Sequence, residues 1–347
     1  MKKLALLALA GALIGCGGGG SSAKTSSLKL NSTTSTTVVG RTVTFTAVPT
    51  GGIEPVKWTV VGGSVNGSIS SDGVYTAPNA AGTYTITVAL ARDPSVSASK
   101  TITVQPLMSL SGTTGKTILP LSKIKLSAVV NAFDNQAVNW APLDGGSVSS
   151  DGTFTAPAAA GTYRVQATSK VSTSTSAIIS VPVVSTGKFR MVVNTPSTTN
   201  GIVEVNLRTD VAPNTCANIA SLANSGYYDG IYFHRYEDLN GAPPTGFIIQ
   251  GGDPLTKTLS LSDPSIGTGG PGYTINFETT GLLHDQYAVA MARSTGLDTA
   301  GSQFYICLDP VPALNGNYCV FGSVTTGQTI ASELRRGSRI MSATIIP

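Results

Sequence analysis

Gly246-Phe247-Ile248-Ile249-Gln250-Gly251-Gly252-Asp253 is the densest of a set of short motifs in the second half of this 347-residue chain. Upstream stands Tyr227-Tyr228-Asp229-Gly230-Ile231-Tyr232-Phe233-His234-Arg235. Downstream follow Gly267-Thr268-Gly269-Gly270-Pro271-Gly272-Tyr273, Met291-Ala292-Arg293, Gly301-Ser302-Gln303-Phe304-Tyr305-Ile306 and Val320-Phe321-Gly322. The paired glycines 251–252 and 269–270 read as tight turns, because no GxxxxGK[ST] pattern accompanies them to cradle a phosphate. Around these motifs the spacing predicts two helices. Pro213 opens a stretch in which Cys216, Ile219, Ala220 and Ala223 recur at helical intervals, with Gly226 as a stop, and Thr329 to Arg336 carries Ile330 and Leu334 four apart.

Six motifs in this order resemble the cyclophilin family of peptidyl-prolyl cis-trans isomerases. The resemblance implies a closed eight-stranded β-barrel with two helices over 187–347, needing no cofactor. It also implies roles for individual residues. The catalytic cation falls on Arg235, and the apolar floor for a proline ring on Phe247, Ile248, Tyr305 and Leu314. Gln250 and Gln303 match positions that hold the substrate backbone and orient the arginine. Ala292, Arg293 and Ser294 match the wall receiving the residue before proline, and Tyr318 matches a position flanking the pocket. Two departures stand out. Tyr236 to Gly246 is longer than the family's connection at that point, and Tyr305 brings a hydroxyl to a place where the family has an aromatic hydrocarbon. Against the resemblance stand plainer readings: Arg235 as an ion-pair partner in a fold that has lost activity, Phe247 and Tyr305 as core residues, Arg293 as a solvated edge and His234 as structural.

The first half is built differently. Gly62-Gly63-Ser64-Val65, Ser71-Asp72-Gly73-Val74-Tyr75-Thr76-Ala77-Pro78 and Ala81-Gly82-Thr83-Tyr84 recur as Gly145-Gly146-Ser147-Val148, Ser150-Asp151-Gly152-Thr153-Phe154-Thr155-Ala156-Pro157 and Ala160-Gly161-Thr162-Tyr163. Asp72 and Asp151 lie 79 positions apart, so the chain contains a duplication of about 80 residues. Val43, Phe45 and Ala47 alternate with threonine, and Ile124, Leu126, Ala128 and Val130 alternate in the second copy, the period of a half-buried strand. Asp-Gly between such runs marks hairpin turns. The copies, 27–105 and 106–186, resemble bacterial immunoglobulin-like domains, which implies β-sandwiches with a core tryptophan, here Trp58 and Trp140. The chain is therefore expected to be mainly β throughout.

Lys2-Lys3 followed by the apolar run Leu4 to Ile14 has the charge and length of an export signal, too short to span a bilayer as a helix. It ends at Leu13-Ile14-Gly15-Cys16, which resembles a bacterial lipoprotein processing site. That implies removal of 1–15, lipidation of Cys16 and a glycine-rich tether over 16–26. Gly17, rather than aspartate, after the lipidated cysteine suggests the outer membrane by resemblance to enterobacterial sorting. If Cys16 is lipidated, Cys216, Cys307 and Cys319 remain, an odd number permitting at most one disulfide.

Composition narrows the function. Charged residues are 12% against a usual ~25%, and the formal charge of +4 falls to about +2 without the signal. No Lys/Arg run beyond Arg335-Arg336 forms the basic face a nucleic-acid binder needs. Two histidines and no CxxC pair make a metal site unexpected. The expected function is isomerisation of X-Pro bonds in exported proteins at the cell envelope, with proline-containing polypeptides and a membrane as partners. The alternative is a non-catalytic proline-segment binder or adhesion protein.

Overall fold

The computed structural model describes residues 27–50, 53–238 and 247–347. The expected signal, Cys16 and the tether lie outside the described residues, as does most of the long Tyr236 to Gly246 connection. Two compact units divide after Pro106. Among the described residues no helix is long and apolar enough to cross a membrane.

In the first unit, two four-stranded sheets enclose a core. One orders its strands Leu28–Ser32, Thr42–Pro49, Val74–Thr76 and Ser68–Ile69; the other orders Thr36–Val38, Ser97–Gln105, Gly82–Leu90 and Val56–Val60. Val43, Phe45 and Tyr75 from the first meet Ile86, Ile102 and Val104 from the second, with Trp58 packed against them. The duplicated segment has the same geometry in the second unit. Gly73 and Gly152 both take positive φ (+80° and +86°), and their carbonyls accept from the backbone N–H of Phe45 and of Leu126. A Cβ on either glycine would press into its tryptophan, Trp58 or Trp140, so the turn glycine and the tryptophan are one packing feature.

Residues 107–186 form smaller sheets around Ile124, Leu126, Phe154, Val165, Val181 and Val183. Among its described residues the remainder of the unit carries eight strands and two α-helices. The strands are β1 (Lys188–Asn194), β2 (Gly201–Leu207), β3 (Arg235–Asp238), β4 (Phe247–Gly251), β5 (Ala288–Met291), β6 (Phe304–Cys307), β7 (Val320–Thr326) and β8 (Arg339–Ile346). They make one antiparallel sheet in the order β3-β4-β6-β5-β7-β2-β1-β8. Its interior holds Phe189, Tyr228, Phe233 and Phe304 in tilted and edge-to-face contacts with centroids 5.3–6.2 Å apart.

The expected closed barrel is corrected here: the sheet curls but stays open, with β3 and β8 as its edges. The cause is local. Ile231 to Phe233 run beside β8, with Tyr232 bridging Arg339 and hydrogen bonds of 2.8 Å from Phe233 to Ser338 and from Ile340 to Ile231. At Arg235 the same chain has moved to β4, so among the described residues β3 pairs on one side only.

Helix α1 (Pro213–Asn224) buries Cys216, Ile219, Ala220 and Ala223, as their spacing predicted. Its N-terminal residue offers no side-chain cap; Glu278 supplies one from a distant loop, accepting from the amides of Asn214 (2.9 Å) and Thr215 (2.7 Å). Helix α2 (Gln328–Glu333) is shorter than the predicted Thr329–Arg336. Leu334 takes an extended ψ of 133° and is fully buried, and the chain then turns into β8 with Ser338 bonded to Arg335.

The segment before residue 187 is not independent of this sheet. Leu119 is 0% exposed within the core of the eight-stranded sheet. Lys123 donates its amide to Ser221 on α1 (2.7 Å), and Asn224 donates to the Thr117 carbonyl (2.9 Å). Residues 107–186 therefore complete the burial of α1. Leu119→Ala should lower the urea-unfolding stability of the 107–347 unit by about 2–5 kcal/mol. A change below about 0.5 kcal/mol in that titration contradicts this packing role.

Candidate active site

Strand alternation builds the site. In β4, β5 and β6, Ile249, Val289, Met291, Phe304 and Ile306 face the main core. The intervening residues Ile248, Ala288, Ala290, Tyr305 and Cys307 face the other way and form a second apolar cluster with Val311 and Val320. Leu282, Ala292, Leu314 and Tyr318 pack against it only partly buried, so the cluster reaches the surface between them, where the family resemblance puts the apolar hollow for a proline ring. Ile248 (3% exposed) and Tyr305 (2%) are buried beneath those four.

The structure brings together three of the four residues expected to form that floor, Ile248, Tyr305 and Leu314. Phe247 packs elsewhere. One step along β4 puts it on the opposite face, where it stacks on Tyr236 with centroids 5.4 Å apart and packs against the main core. Arg335 lies over the other partner of that stack, its Cζ 4.8 Å from the Tyr236 centroid.

A polar chain runs beside the hollow. Arg235 opens β3 directly opposite Gln250 of β4 and donates from Nη1 to Gln250 Oε1 (3.4 Å). Gln250 Nε2 donates to Gln303 Oε1 (2.9 Å), and Gln303 Nε2 donates to the carbonyls of Gly267 and Gly269 (2.8 Å each). Those two carbonyl acceptors fix which end of Gln303 is the amide nitrogen, and so orient the chain back to Arg235. Arg235 also ion-pairs through Nε and Nη2 with Glu237, two residues on along the same strand. Both side chains are nearly half exposed, so the pair restrains the guanidinium and adds little stability.

The glycine loop is held from inside by Asp253, a residue the sequence reading passed over. Its buried carboxylate accepts from Gly267 N (2.5 Å), Gly269 N (3.3 Å) and Leu255 N (2.8 Å). A Cβ on Gly269 would collide with that carboxylate, so these glycines serve an internal anion. The Gly-Gly-Asp that ends the central motif was the available signal. Beyond the loop, a cavity of about 390 Å³ is lined by Gln250, Gln303, Gly269, Ala292, Arg293 and Ser294, among others. Arg293 is fastened, with Nε and Nη2 donating to Asn317 O (3.1 and 2.9 Å) and Cζ 4.6 Å above the Tyr318 ring.

Cys216, Cys307 and Cys319 are free, buried thiols, all pushed up by burial, Cys307 to about 12 and Cys319 to about 11. They behave as small hydrophobes. Among the described residues no group of His, Cys, Asp or Glu could hold a metal.

An apolar hollow beside a restrained guanidinium suits one kind of chemistry. The X-Pro bond resists rotation by about 18–20 kcal/mol because its nitrogen lone pair is delocalised. A donor aimed at that nitrogen localises the pair, while the hollow holds the ring; neither acid, base nor covalent step is required. Comparison with known proteins agrees. Residues 190–345 match the family described as cyclophilin type peptidyl-prolyl cis-trans isomerase/CLD. Peptidyl-prolyl cis-trans isomerase B of Bacillus subtilis is 43% identical over 136 residues, covering 39% of this chain and 84% of that protein. The chain belongs to the cyclophilin family.

A Synechococcus elongatus peptidyl-prolyl cis-trans isomerase is 36% identical over 151 residues, 43% of this chain and 92% of its own. A crystal structure of a Cryptosporidium parvum cyclophilin type isomerase is 26% identical, covers 47% of this chain and 98% of its own, and gives a TM-score of 0.37. The activity of this chain is peptidyl-prolyl cis-trans isomerisation.

His234, beside Arg235, and His284, below the hollow, are both buried. Burial lowers both pKa values; for His234, Asp253 opposes this while Arg235 and Arg336 reinforce it, and for His284, Asn315 and Asp285 oppose it. The unfolded chain, with histidines near about 6.5, then binds more protons than the folded one in acid. Stability is complete above about pH 6.5 and declines as pH falls toward the depressed values. Glu204, held ionised chiefly by Arg190, titrates below its usual range and so does not produce this decline. Urea midpoints should drop between pH 7.5 and 5.5, and less in His234→Asn; a wild-type midpoint unchanged across that window contradicts the burial of neutral imidazoles.

Proposed function

We propose that this isomerase acts on X-Pro bonds of exported polypeptides at a bacterial envelope, assisting their folding. Arg235 is the catalytic donor to the prolyl nitrogen, oriented by Gln250, and Ile248, Tyr305 and Leu314 receive the ring. Ala292, Arg293, Ser294 and Gln303 take the substrate backbone before proline, and Tyr318 flanks the ring. The observation that carries this reading is the hydrogen-bonded run Arg235–Gln250–Gln303 laid along the rim of an apolar hollow.

Uncatalysed exchange takes tens of seconds. An acceleration of about 10⁴ to 10⁵ needs roughly 5–7 kcal/mol of preferential transition-state binding. One preorganised cationic donor supplies about 3–4 kcal/mol of this, and the seat of the ring and the contacts to the substrate backbone supply the rest. In the full chain, Arg235→Ala should reduce kcat for an Ala-Pro peptide by about 10²–10³, read by exchange NMR, with peptide affinity changed far less. Equal rates in the two proteins would remove Arg235 from the mechanism.

The remaining parts of the reading concern placement. Cleavage before Cys16 and acylation of its thiol anchor the chain in the outer membrane, since each buried CH₂ contributes about 0.8 kcal/mol. The duplicated modules over 27–105 and 106–186 are immunoglobulin-like domains serving as a stalk. Support for that identity comes from Tyr84 and Tyr163, whose hydroxyls each donate to a carbonyl four residues upstream (2.9 Å at Ala80 and at Ala159), as a tyrosine corner does. Mass spectrometry of membrane-extracted protein should find an acylated Cys16 at the N-terminus; an uncut or unmodified Cys16 refutes the anchor.

A further inference from the structure

Tyr305 poses a physical problem. Its ring is the floor of the hollow, yet its hydroxyl is buried with it, and an unpaired hydroxyl in such a place costs roughly 1–3 kcal/mol. The hydroxyl meets His284 Nε2 at 2.9 Å, and the two rings lie nearly parallel at 13° with centroids 5.9 Å apart. The direction of that hydrogen bond can be derived. Asn315 Oδ1 accepts from the backbone N–H of His284 (2.8 Å), which can only donate, so this atom is the amide oxygen. The same oxygen lies 3.0 Å from His284 Nδ1, which must therefore carry a proton. Burial keeps the imidazole neutral, leaving Nε2 as an acceptor, and the Tyr305 hydroxyl donates to it.

His284 grips the wall of the hollow as well as its floor. Its carbonyl accepts from Val311 N (2.8 Å), and its amide and ring both bind the Asn315 side chain. Val311 and Asn315 bracket the short turn Pro312–Leu314, which carries Leu314 to the rim. Tyr318 closes the cluster, edge-on to both Tyr305 and His284 at 5.9 and 6.4 Å.

We propose that His284 is a positioning residue for prolyl isomerisation. By accepting the Tyr305 hydroxyl proton it makes a floor of polar composition present only ring carbon to the pyrrolidine, and by tying Val311 and Asn315 it sets the wall that carries Leu314. It touches no substrate; it acts through Tyr305 and Leu314. The inference rests on the hollow being the prolyl site, so the experiment tests the two separately.

Exchange kinetics of the full-length chain with an Ala-Pro tetrapeptide are measured for wild type, His284→Leu, Tyr305→Phe and the double variant. His284→Leu strands the Tyr305 hydroxyl, and KM should rise about ten-fold with kcat changed much less. In the Tyr305→Phe background the same substitution should cost about three-fold or less, because no hydroxyl is left unpaired and only the ring's bond to Asn315 is lost. Equal losses in both backgrounds would overturn the role through the hydroxyl, as would no loss in either. Should His284→Leu fail to fold, long-range ¹H–¹⁵N NMR of the wild-type chain reads the tautomer directly: Nδ1 protonated and Nε2 bare supports the proposal, the reverse sinks it. Methyl shifts of Ile248 and Ala290 on adding the peptide report whether the hollow is occupied. Unmoved methyls mean that the prolyl-site reading itself has failed; moved methyls with an additive cycle mean that only the positioning role has.

Discussion

The two-residue period of three short strands is the constraint on which the site depends. Every second side chain of β4, β5 and β6 enters the main core, among them Phe304 and Met291, and every other one enters the cluster of Ile248, Ala290 and Tyr305. A central sheet that is apolar on both faces needs something to cover the outer one. Here the cover is incomplete: Val311 and Val320 are buried, while Leu282, Leu314 and Tyr318 only rim the opening. The hollow is what the fold leaves uncovered, so its rigidity is that of the sheet beneath it.

Polar groups then accumulate where the sheet ends. Arg235 and Gln250 face each other because β3 begins where the chain leaves β8, and the openness of the sheet and the location of the cation are one event. Gln303 stands just before β6, and its amide is tied to a loop that Asp253 holds from within. The cation is thus connected, through Gln250 and Gln303, to a loop held by a buried carboxylate. Such a chain limits how far the guanidinium can wander, which matters more for a donor to a weakly basic nitrogen than its modest exposure does. The Glu237 pair works in the same direction.

Much of this was legible in the residues. The duplication around Asp72 and Asp151 reappears as matched glycine and tryptophan packing, because a local turn and the side chain above it are encoded within a few residues of each other or in a repeated pattern. The buried face of α1 follows from helical spacing alone. The motif order around Arg235, Gln250 and Gln303 pointed to residues that the fold joins by hydrogen bonds. Less was legible where neighbours in sequence part company in space. Phe247 and Ile248 are adjacent and were assigned to one floor, but strand alternation sends them to opposite faces. Glu278 caps a helix more than sixty residues away, and Leu119 fills the core of a sheet that begins at Lys188.

What the sequence by itself determined is the inventory and its local geometry: strands with their period, the first helix with its buried stripe, the glycine turns, and membership of a family whose motifs stand in order. Tertiary structure alone decided that the sheet stays open, that Glu237 pairs with Arg235, and that one of the two histidines, His284, holds the Tyr305 hydroxyl. The physical reason is that hydrogen-bond partners and burial are properties of surfaces brought together by folding. A residue's type limits what it can donate or accept, but the atom that meets it is chosen by the whole chain.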